Sequence, residues 1–460
     1  MPSPNLLFIF TDQQRYTAAG FNGNGVIQTP NLDRFATQGL VVDNAFSSCP
    51  LCSPYRGQLL SGRYAHANGV VDNECELRTD IPTLASSLKD GGYRTAYIGK
   101  WHLGEGPYPE SRRYGFDDLM ANNNNHRYYQ GAYHTNETGP IAIDGWAPED
   151  ETSQAIRYLE EASTGPEPFA LILGWGPPHW PYDQYPEEFD VHSPEDIELS
   201  RNVPGQSTEF AKREIAHYYN NMAALDHHFG RLTEALNQMG IADNTIVIYT
   251  SDHGDHLSAH GYGRPGDPRL MPPMRASKAT PFDESCHVPF AIRWPGHTPA
   301  GERSDAFINS VDLMPTLLGL CNVDIPEGVQ GRNLSPALVG GACDLPDSVY
   351  MQNLGIGWPD RTEFTGFWRA VRTNRWLYAR FLNNAPFRPW LFDRDSDPDE
   401  MKNLADDPEY ATIAKEMESR LQEWMRETED PFETGERNSL GVLKLGQRYV
   451  NKRWQGFERE

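Results

Sequence analysis

The chain has 460 residues, six cysteines and a formal charge of −24 at neutral pH. That length holds one large domain and a smaller companion, six scattered cysteines make no disulfide framework, and the acidic balance argues against nucleic acid and anionic membranes as partners. No apolar run approaches a membrane span and no signal-peptide pattern is visible, which predicts a cytoplasmic protein, or a periplasmic or secreted one whose sequence has been trimmed.

In chain order, residues 6–10 read as a buried strand. Thr29-Pro30 opens a helix with a cap and a proline in its first turn, and Gly39 closes it. A helix over 82–90 stops at Gly91-Gly92 and leads to a strand over 93–98. A strand at 169–173, a long helix at 208–239 ended by Gly240, and a strand at 245–250 follow. This alternation predicts an α/β fold: a large doubly wound mixed sheet, mostly parallel, flanked by helices. Beyond about residue 344 the texture changes. Short strands at 367–372, 376–381 and 390–393 precede an amphipathic helix over 408–428, with Ile413, Met417, Leu421 and Trp424 on one face. The predicted organisation is a catalytic α/β domain at 1–345, a small α+β domain at 346–430 and an extension at 431–460 lying on the body.

Polar clusters close the apolar runs. Asp12-Gln13, Lys100-Trp101-His102, His179 and Asp252-His253-Gly254 each follow a predicted strand. Ligands in open α/β sheets bind beyond the carboxyl ends of strands, so these four places point to one rim. Asp12, Asp252 and the Gln13 amide oxygen are hard donors suited to a divalent cation, while His253 leaves manganese open beside calcium. Lys100 and His102, two apart, would share one side of an extended segment.

A further motif is Cys52-Ser53-Pro54-Tyr55-Arg56, with Leu60-Ser61-Gly62-Arg63 close behind. Pro54 suits the first turn of a helix, which Leu59 and Leu60 continue. Cys52 would then sit at a helix N-terminus, where unpaired N–H groups favour anions. Arg56, one turn on, is a planar cation able to hydrogen-bond an oxyanion or a geminal diol. Cys49 and Cys52 also form a C-x-x-C, the spacing of a redox pair or half a zinc site. No second such pair exists, and Cys75, Cys286, Cys321 and Cys343 are isolated.

The C-x-P-x-R followed by S-G-R resembles the signature of the type I, formylglycine-dependent sulfatases of the alkaline phosphatase superfamily. Ser251-Asp252-His253-Gly254 matches a second family run. Lys278, four residues before Phe282-Asp283-Glu284-Ser285 and then Val288-Pro289, matches a third. The resemblance covers roughly residues 5–404. It implies that a formylglycine-generating maturation enzyme oxidises Cys52 and that the hydrated aldehyde is the nucleophile. It also implies a metal, calcium as the usual occupant, at Asp12, Gln13, Asp252 and His253 with residue 52 in the same set. Gln13 stands where the family often has a second aspartate. By the same resemblance Lys100 bridges the diol and the sulfate, His102 takes a proton from the diol, His179 protonates the leaving oxygen, and Lys278 grips a sulfate oxygen. A simple serine would be inferior, because its sulfate ester has no second hydroxyl to expel the sulfate.

A sulfated carbohydrate is the predicted substrate. Candidate contacts are Asn122, His126, Arg127 and Tyr128 in one polar loop, Trp180 and Tyr182 by stacking, and Arg264, Arg269 and Arg275 in a Gly- and Pro-rich insertion. Two other readings share these motifs: a phosphonate monoester or phosphodiester hydrolase of the same superfamily, and a catalytically silent homologue that binds sulfated glycans. The sequence leaves the oligomeric state open.

Overall fold

The computed structural model describes residues 3–123, 126–260, 278–354, 368–381 and 389–434. Ten strands build the large sheet: β1 (Asn5–Asp12), β2 (Leu40–Phe46), β3 (Arg94–Lys100), β4 (Asp118–Asn122), β5 (Ala132–Thr135), β6 (Ile141–Ala142), β7 (Phe169–Pro178), β8 (Thr245–Ser251), β9 (Phe290–Arg293) and β10 (Glu302–Asn309). They run in the order β10-β2-β9-β8-β1-β7-β3-β4-β5-β6. The five central neighbours from β8 to β4 are all parallel. Antiparallel pairing enters through β9, between β8 and β2, and through β5 and β6 at the edge.

The sheet is mixed and buried on both faces, as parallel strands require when helices cover each side. In β1, Leu6, Phe8 and Phe10 enter one core layer with Tyr55, Leu59 and Leu317. Leu7 and Ile9 enter the other, with Leu225, Phe229 and Leu232 of the long Thr208–Gln238 helix. The Cys52–Ser61, Leu84–Asp90 and Leu313–Leu320 helices belong to the first layer, and the Pro30–Thr37 and Ala147–Ala162 helices to the second. Among the described residues no helix is long and apolar enough to cross a membrane.

A second sheet, β11 (Ser348–Asn353), β12 (Trp368–Thr373), β13 (Trp376–Phe381) and β14 (Trp390–Asp393), is antiparallel throughout. One face packs Val349, Met351, Trp368 and Leu377 on Phe46, Phe282 and Phe307 of the main body. The alternate residues Tyr350, Val371 and Tyr378 receive Met417, Leu421 and Met425 of the Ala411–Glu427 helix. The predicted helix face is therefore rotated slightly: Met425 is buried, and Ile413 and Trp424 pack partly buried at the border.

Just beyond that helix, Asp430 clasps the small sheet to the body. Its carboxylate accepts both arms of the Arg369 guanidinium (2.8 and 3.0 Å), the Tyr350 hydroxyl (2.7 Å) and the Phe432 N–H (2.9 Å). His66, four residues after Gly62, places Nδ1 3.2 Å from the same carboxylate. Burial opposes this charge, but Arg369 and His66 outweigh it and hold the carboxyl far below its ordinary range. Asp430→Ala leaves Arg369 buried without its counter-ion and should cost about 3–5 kcal/mol in urea unfolding, with Arg369→Met combined with Asp430→Leu recovering much of it. Because the folded-state value is depressed, the clasp contributes fully at neutral pH. Its contribution is lost as the pH falls below about 4, the carboxyl's ordinary value.

Candidate active site

Asp12 is the last residue of β1, and Asp252 and His253 follow β8 directly, where the Asp252 N–H still donates to the Thr11 carbonyl (3.0 Å). The backbone then turns left-handed at Gln13 (φ 74°), and the Gln13 N–H donates to Asp252 Oδ1 (2.9 Å). Gly254 permits the parallel turn after His253: a Cβ there would lie 2.1 Å from the Glu284 carbonyl oxygen. Neighbouring strand ends thus bring the two carboxylates together, as the parallel register dictates.

Cys52 opens the Cys52–Ser61 helix, whose ten residues are all buried, and Gly62 ends it in the left-handed region. Arg56, one turn on, donates Nη1 to Asp252 Oδ2 (2.7 Å) and to the Cys52 carbonyl (3.1 Å), and Nη2 to Asp12 Oδ2 (3.2 Å). The guanidinium occupies the outer oxygens and leaves both Oδ1 atoms facing inward. Toward them points His253 Nε2, 3.9 Å from Asp12 Oδ1 and 3.5 Å from Asp252 Oδ1. His253 Nδ1 lies 2.9 Å from the Gly254 carbonyl, which can only accept, so Nδ1 carries a proton. Burial opposes a charged ring but Asp252 raises its pKa, and Nε2 would give up its own proton to offer a lone pair inward to a bound cation.

The Cys52 Sγ is 3.5 Å from Asp12 Oδ1, 3.4 Å from His253 Nε2, 3.2 Å from Lys278 Nζ and 3.8 Å from Lys100 Nζ. Lys100 also pairs with Asp12 Oδ2 (2.7 Å), and Lys278 donates to Gln13 Oε1 (2.7 Å). Burial opposes a thiolate here, yet Lys100, Lys278 and His253 pull the Cys52 thiol well below its usual range. The same competition separates the two carboxylates. Lys100, His179 and Arg56 overcome burial to hold Asp12 low, while burial and the charge of Asp12 push Asp252 up.

Ligand atoms of Asp12, Cys52, Asp252 and His253 all lie within 4.8 Å of one another. Two inward carboxylate oxygens, an imidazole lone pair and a Cys52 side-chain position make a donor set that fits a divalent cation. A cation would also relieve the like-charge repulsion that raises Asp252. Gln13 is held at both ends of its amide: Oε1 accepts from Lys278, and Nε2 donates to Asp255 Oδ2 (2.6 Å).

Two histidines complete the chamber. His102 is buried, and burial lowers its basicity first of all, against an opposing pull from Cys52. The sequence expectation of an extended Lys100–His102 segment is corrected: β3 ends at Lys100 and His102 is left-handed (φ 54°), so a turn brings both side chains to Cys52. His179, just past β7, donates Nδ1–H to the Trp180 carbonyl (2.7 Å). Burial together with Lys278 and Lys100 brings its pKa down to about 4.

All six predicted catalytic residues, Cys52, Arg56, Lys100, His102, His179 and Lys278, therefore converge, as do Asp12, Gln13, Asp252 and His253. The predicted sugar contacts divide. Trp180 is 39% exposed beside His179, and Arg127 is exposed. Tyr182 offers no stacking face: it is buried, and its hydroxyl donates to Asp255. Asn122 and Tyr128 are also buried, and His126 lies against His179. Arg264, Arg269 and Arg275 lie outside the described residues. Sequence reasoning missed Asp255, which orients Gln13 and Tyr182. Its only signal was its place in the polar run Asp252-His253-Gly254-Asp255 after a strand.

A rim that gathers Arg56, Lys100 and Lys278 around one nucleophile is suited to attack on the ester of an oxyanion. The sulfatase family profile matches residues 4–323, and that of the N-sulphoglucosamine sulphohydrolase C-terminal region matches 277–427. An ulvan-active sulfatase of Formosa agariphila is 32% identical over 441 residues, 94% of this chain and 83% of that protein. An endo-4-O-sulfatase of Bacteroides thetaiotaomicron is 29% identical over 490 residues, 94% of this chain and 93% of that one. The solved structure of yidJ from Bacteroides fragilis superposes with a TM-score of 0.83 at 30% identity, covering 95% of this chain and 98% of its own. A structure solved with its substrate D-glucosamine-2-N,6-O-disulfate gives 0.79 at 25% identity, covering 93% and 99%. The chain belongs to the formylglycine-type sulfatases of the alkaline phosphatase superfamily and is a sulfuric ester hydrolase.

Proposed function

We propose that the protein hydrolyses sulfate esters on a carbohydrate, with a formylglycine made from Cys52 as nucleophile and a divalent cation, calcium or manganese, held by Asp12, Gln13, Asp252, His253 and residue 52. The observation that carries this reading is the place of the Cys52 Sγ, at a helix N-terminus and within 3.8 Å of both lysines and His253. Sulfur here marks where the oxygens of the converted side chain would sit. Cys52, Pro54 and Arg56 are all buried, so the maturation enzyme would read this segment before the chain folds.

A cation in this donor set supplies Lewis-acid stabilisation of the negative charge that develops on oxygen during sulfuryl transfer. The rest falls to the chain's own groups. Arg56 fixes both aspartates so that their inner oxygens stay aimed at the centre. Lys100 and Lys278 hold the sulfuryl oxygens and disperse their charge in a chamber that excludes water. A bound sulfate ester brings a negative charge to His179, raising its proton affinity from the depressed value so that Nε2 can protonate the departing alcohol. His102, kept neutral by burial, accepts a proton from the nucleophile's second hydroxyl.

The carbohydrate reading is supported by the ulvan-active, endo-4-O- and glucosamine-disulfate relatives, and by exposed Trp180 and Arg127 beside the chamber. The arginines at 264, 269 and 275 are proposed to pair with further sulfates or a uronate. A panel of defined sulfated oligosaccharides, with a phosphonate monoester and a phosphodiester for comparison, tests the reading. The highest kcat/KM is expected on a sulfated saccharide. A higher value on the phosphonate or the phosphodiester would replace it with the phosphoryl-transfer alternative, and binding of the saccharide without turnover by converted protein with the silent one.

A further inference from the structure

We propose that His126 is a positioning residue for His179, holding its imidazole ring flat so that Nε2 stays aimed at the departing oxygen. The proposal rests on the reading of His179 as the acid that protonates the leaving group. The two rings lie parallel, with centroids 4.2 Å apart and planes 8° apart. His126 Nδ1 is buried and has no hydrogen-bond partner among the described residues, so the ring is held there by its face.

The same short segment grips His179 at a second point. The Tyr128 hydroxyl donates to the His179 carbonyl (2.9 Å). The Tyr128 ring also lies over Gly176, where a Cβ would come within 2.8 Å of Tyr128 Cε1. Gln184 ties the two loops together from the far side, accepting from the Tyr128 N–H (2.8 Å) and donating to the His126 carbonyl (3.4 Å).

These contacts divide the task of orientation. The bond from Nδ1–H to the Trp180 carbonyl decides which nitrogen faces the chamber. It leaves the ring free to tilt about that bond, and tilting is what the stacked His126 ring opposes. Tyr128 fixes the backbone from which the side chain hangs. Proton transfer needs the donor within hydrogen-bond reach of the oxygen, and small misplacements cost large factors in rate.

Protonation of the leaving group matters more as that group becomes more basic, so the test reads leaving-group dependence. kcat/KM is measured on 4-nitrophenyl sulfate, a good leaving group, and on phenyl sulfate, a poorer one, with mature converted enzyme. His126→Ala should lose about ten- to a hundredfold on phenyl sulfate and under about threefold on the nitrophenyl ester. His126→Phe keeps a flat face without the nitrogens and should restore most of the phenyl sulfate rate. Tyr128→Phe, which removes one hydroxyl, should show the same selective loss in weaker form. His179→Ala is the reference and should show the largest selectivity. If His179→Ala is selective while His126→Ala loses equally on both esters, or loses nothing, the proposal is overturned and the acid reading stands. Failure of His126→Phe to rescue would assign His126 to the substrate through its nitrogens and overturn the proposal as well. Equal losses on both esters in His179→Ala would overturn the acid reading and the proposal with it.

Discussion

Replacing Cys52 with alanine should abolish sulfate release, a loss of about 10⁴-fold or more, as expected when a covalent nucleophile is deleted. Both lysines, His253 and an Asp12 oxygen approach the Sγ together, so its removal takes away the group on which they converge. Protein produced with the maturation system should show the Cys52 peptide lighter by roughly 18 Da, the change from thiol to aldehyde among the oxidised forms of cysteine. Serine at this position offers a sharper comparison. It would attack once and keep the sulfo group, because its ester lacks a second hydroxyl to expel sulfate, so Cys52→Ser should give at most one turnover and a stably sulfated peptide. Sustained turnover by protein whose residue 52 remains a thiol would remove the formylglycine mechanism.

Much of the site's layout was legible in the sequence because four of its polar clusters each follow an apolar strand. A run such as residues 6–10 announces a central strand, and the polar pair after it must then lie on the carboxyl rim. The same logic placed Lys100, His179 and Asp252 correctly. It failed where local geometry departs from the regular element. His102 reaches Cys52 through a left-handed residue, which an alternating pattern cannot anticipate. Strands β2, β9 and β10 and the Ala147–Ala162 helix were not anticipated either. Only four residues long, β9 pairs antiparallel between β8 and β2, an arrangement set by tertiary packing and not by any local signal. Tyr128 reads in the sequence as a sugar contact in a polar loop, and Tyr182 as a stacking contact beside His179. Both are instead buried, with their hydroxyls on His179 and Asp255, since a large aromatic ring near a site is as useful for holding a loop as for meeting a ligand.

Asp12→Asn and Asp252→Asn should each lower kcat/KM by about 10³-fold or more, the equivalent of several kcal/mol of transition-state stabilisation from a bound cation. Asparagine keeps the shape and an acceptor oxygen but removes one of the two charges that would hold the ion. Loss of Asp12 reaches further than the cation, because Asp12 Oδ2 also receives Lys100 Nζ (2.7 Å) and Arg56 Nη2 (3.2 Å). Lys100 would then be buried without its carboxylate and Arg56 left with Asp252 alone, so Asp12→Asn should destabilise the fold by about 3–5 kcal/mol. Asp252→Asn should cost less: Asp252 pairs with Arg56 alone among these cations, and burial together with Asp12 already disfavours its charge. Chelation of the wild-type protein separates the two effects, since it removes the ion and leaves every carboxylate in place. Metal content, thermal midpoint and activity should fall together on chelation. Calcium should restore all three, with the gain in midpoint growing with the logarithm of its concentration as a ligand of the folded state requires. Full restoration by manganese and none by calcium would move the assignment toward the imidazole-tolerant ion that His253 allows. Undiminished turnover in metal-free protein, or in either asparagine variant, would rule out a catalytic cation at this site.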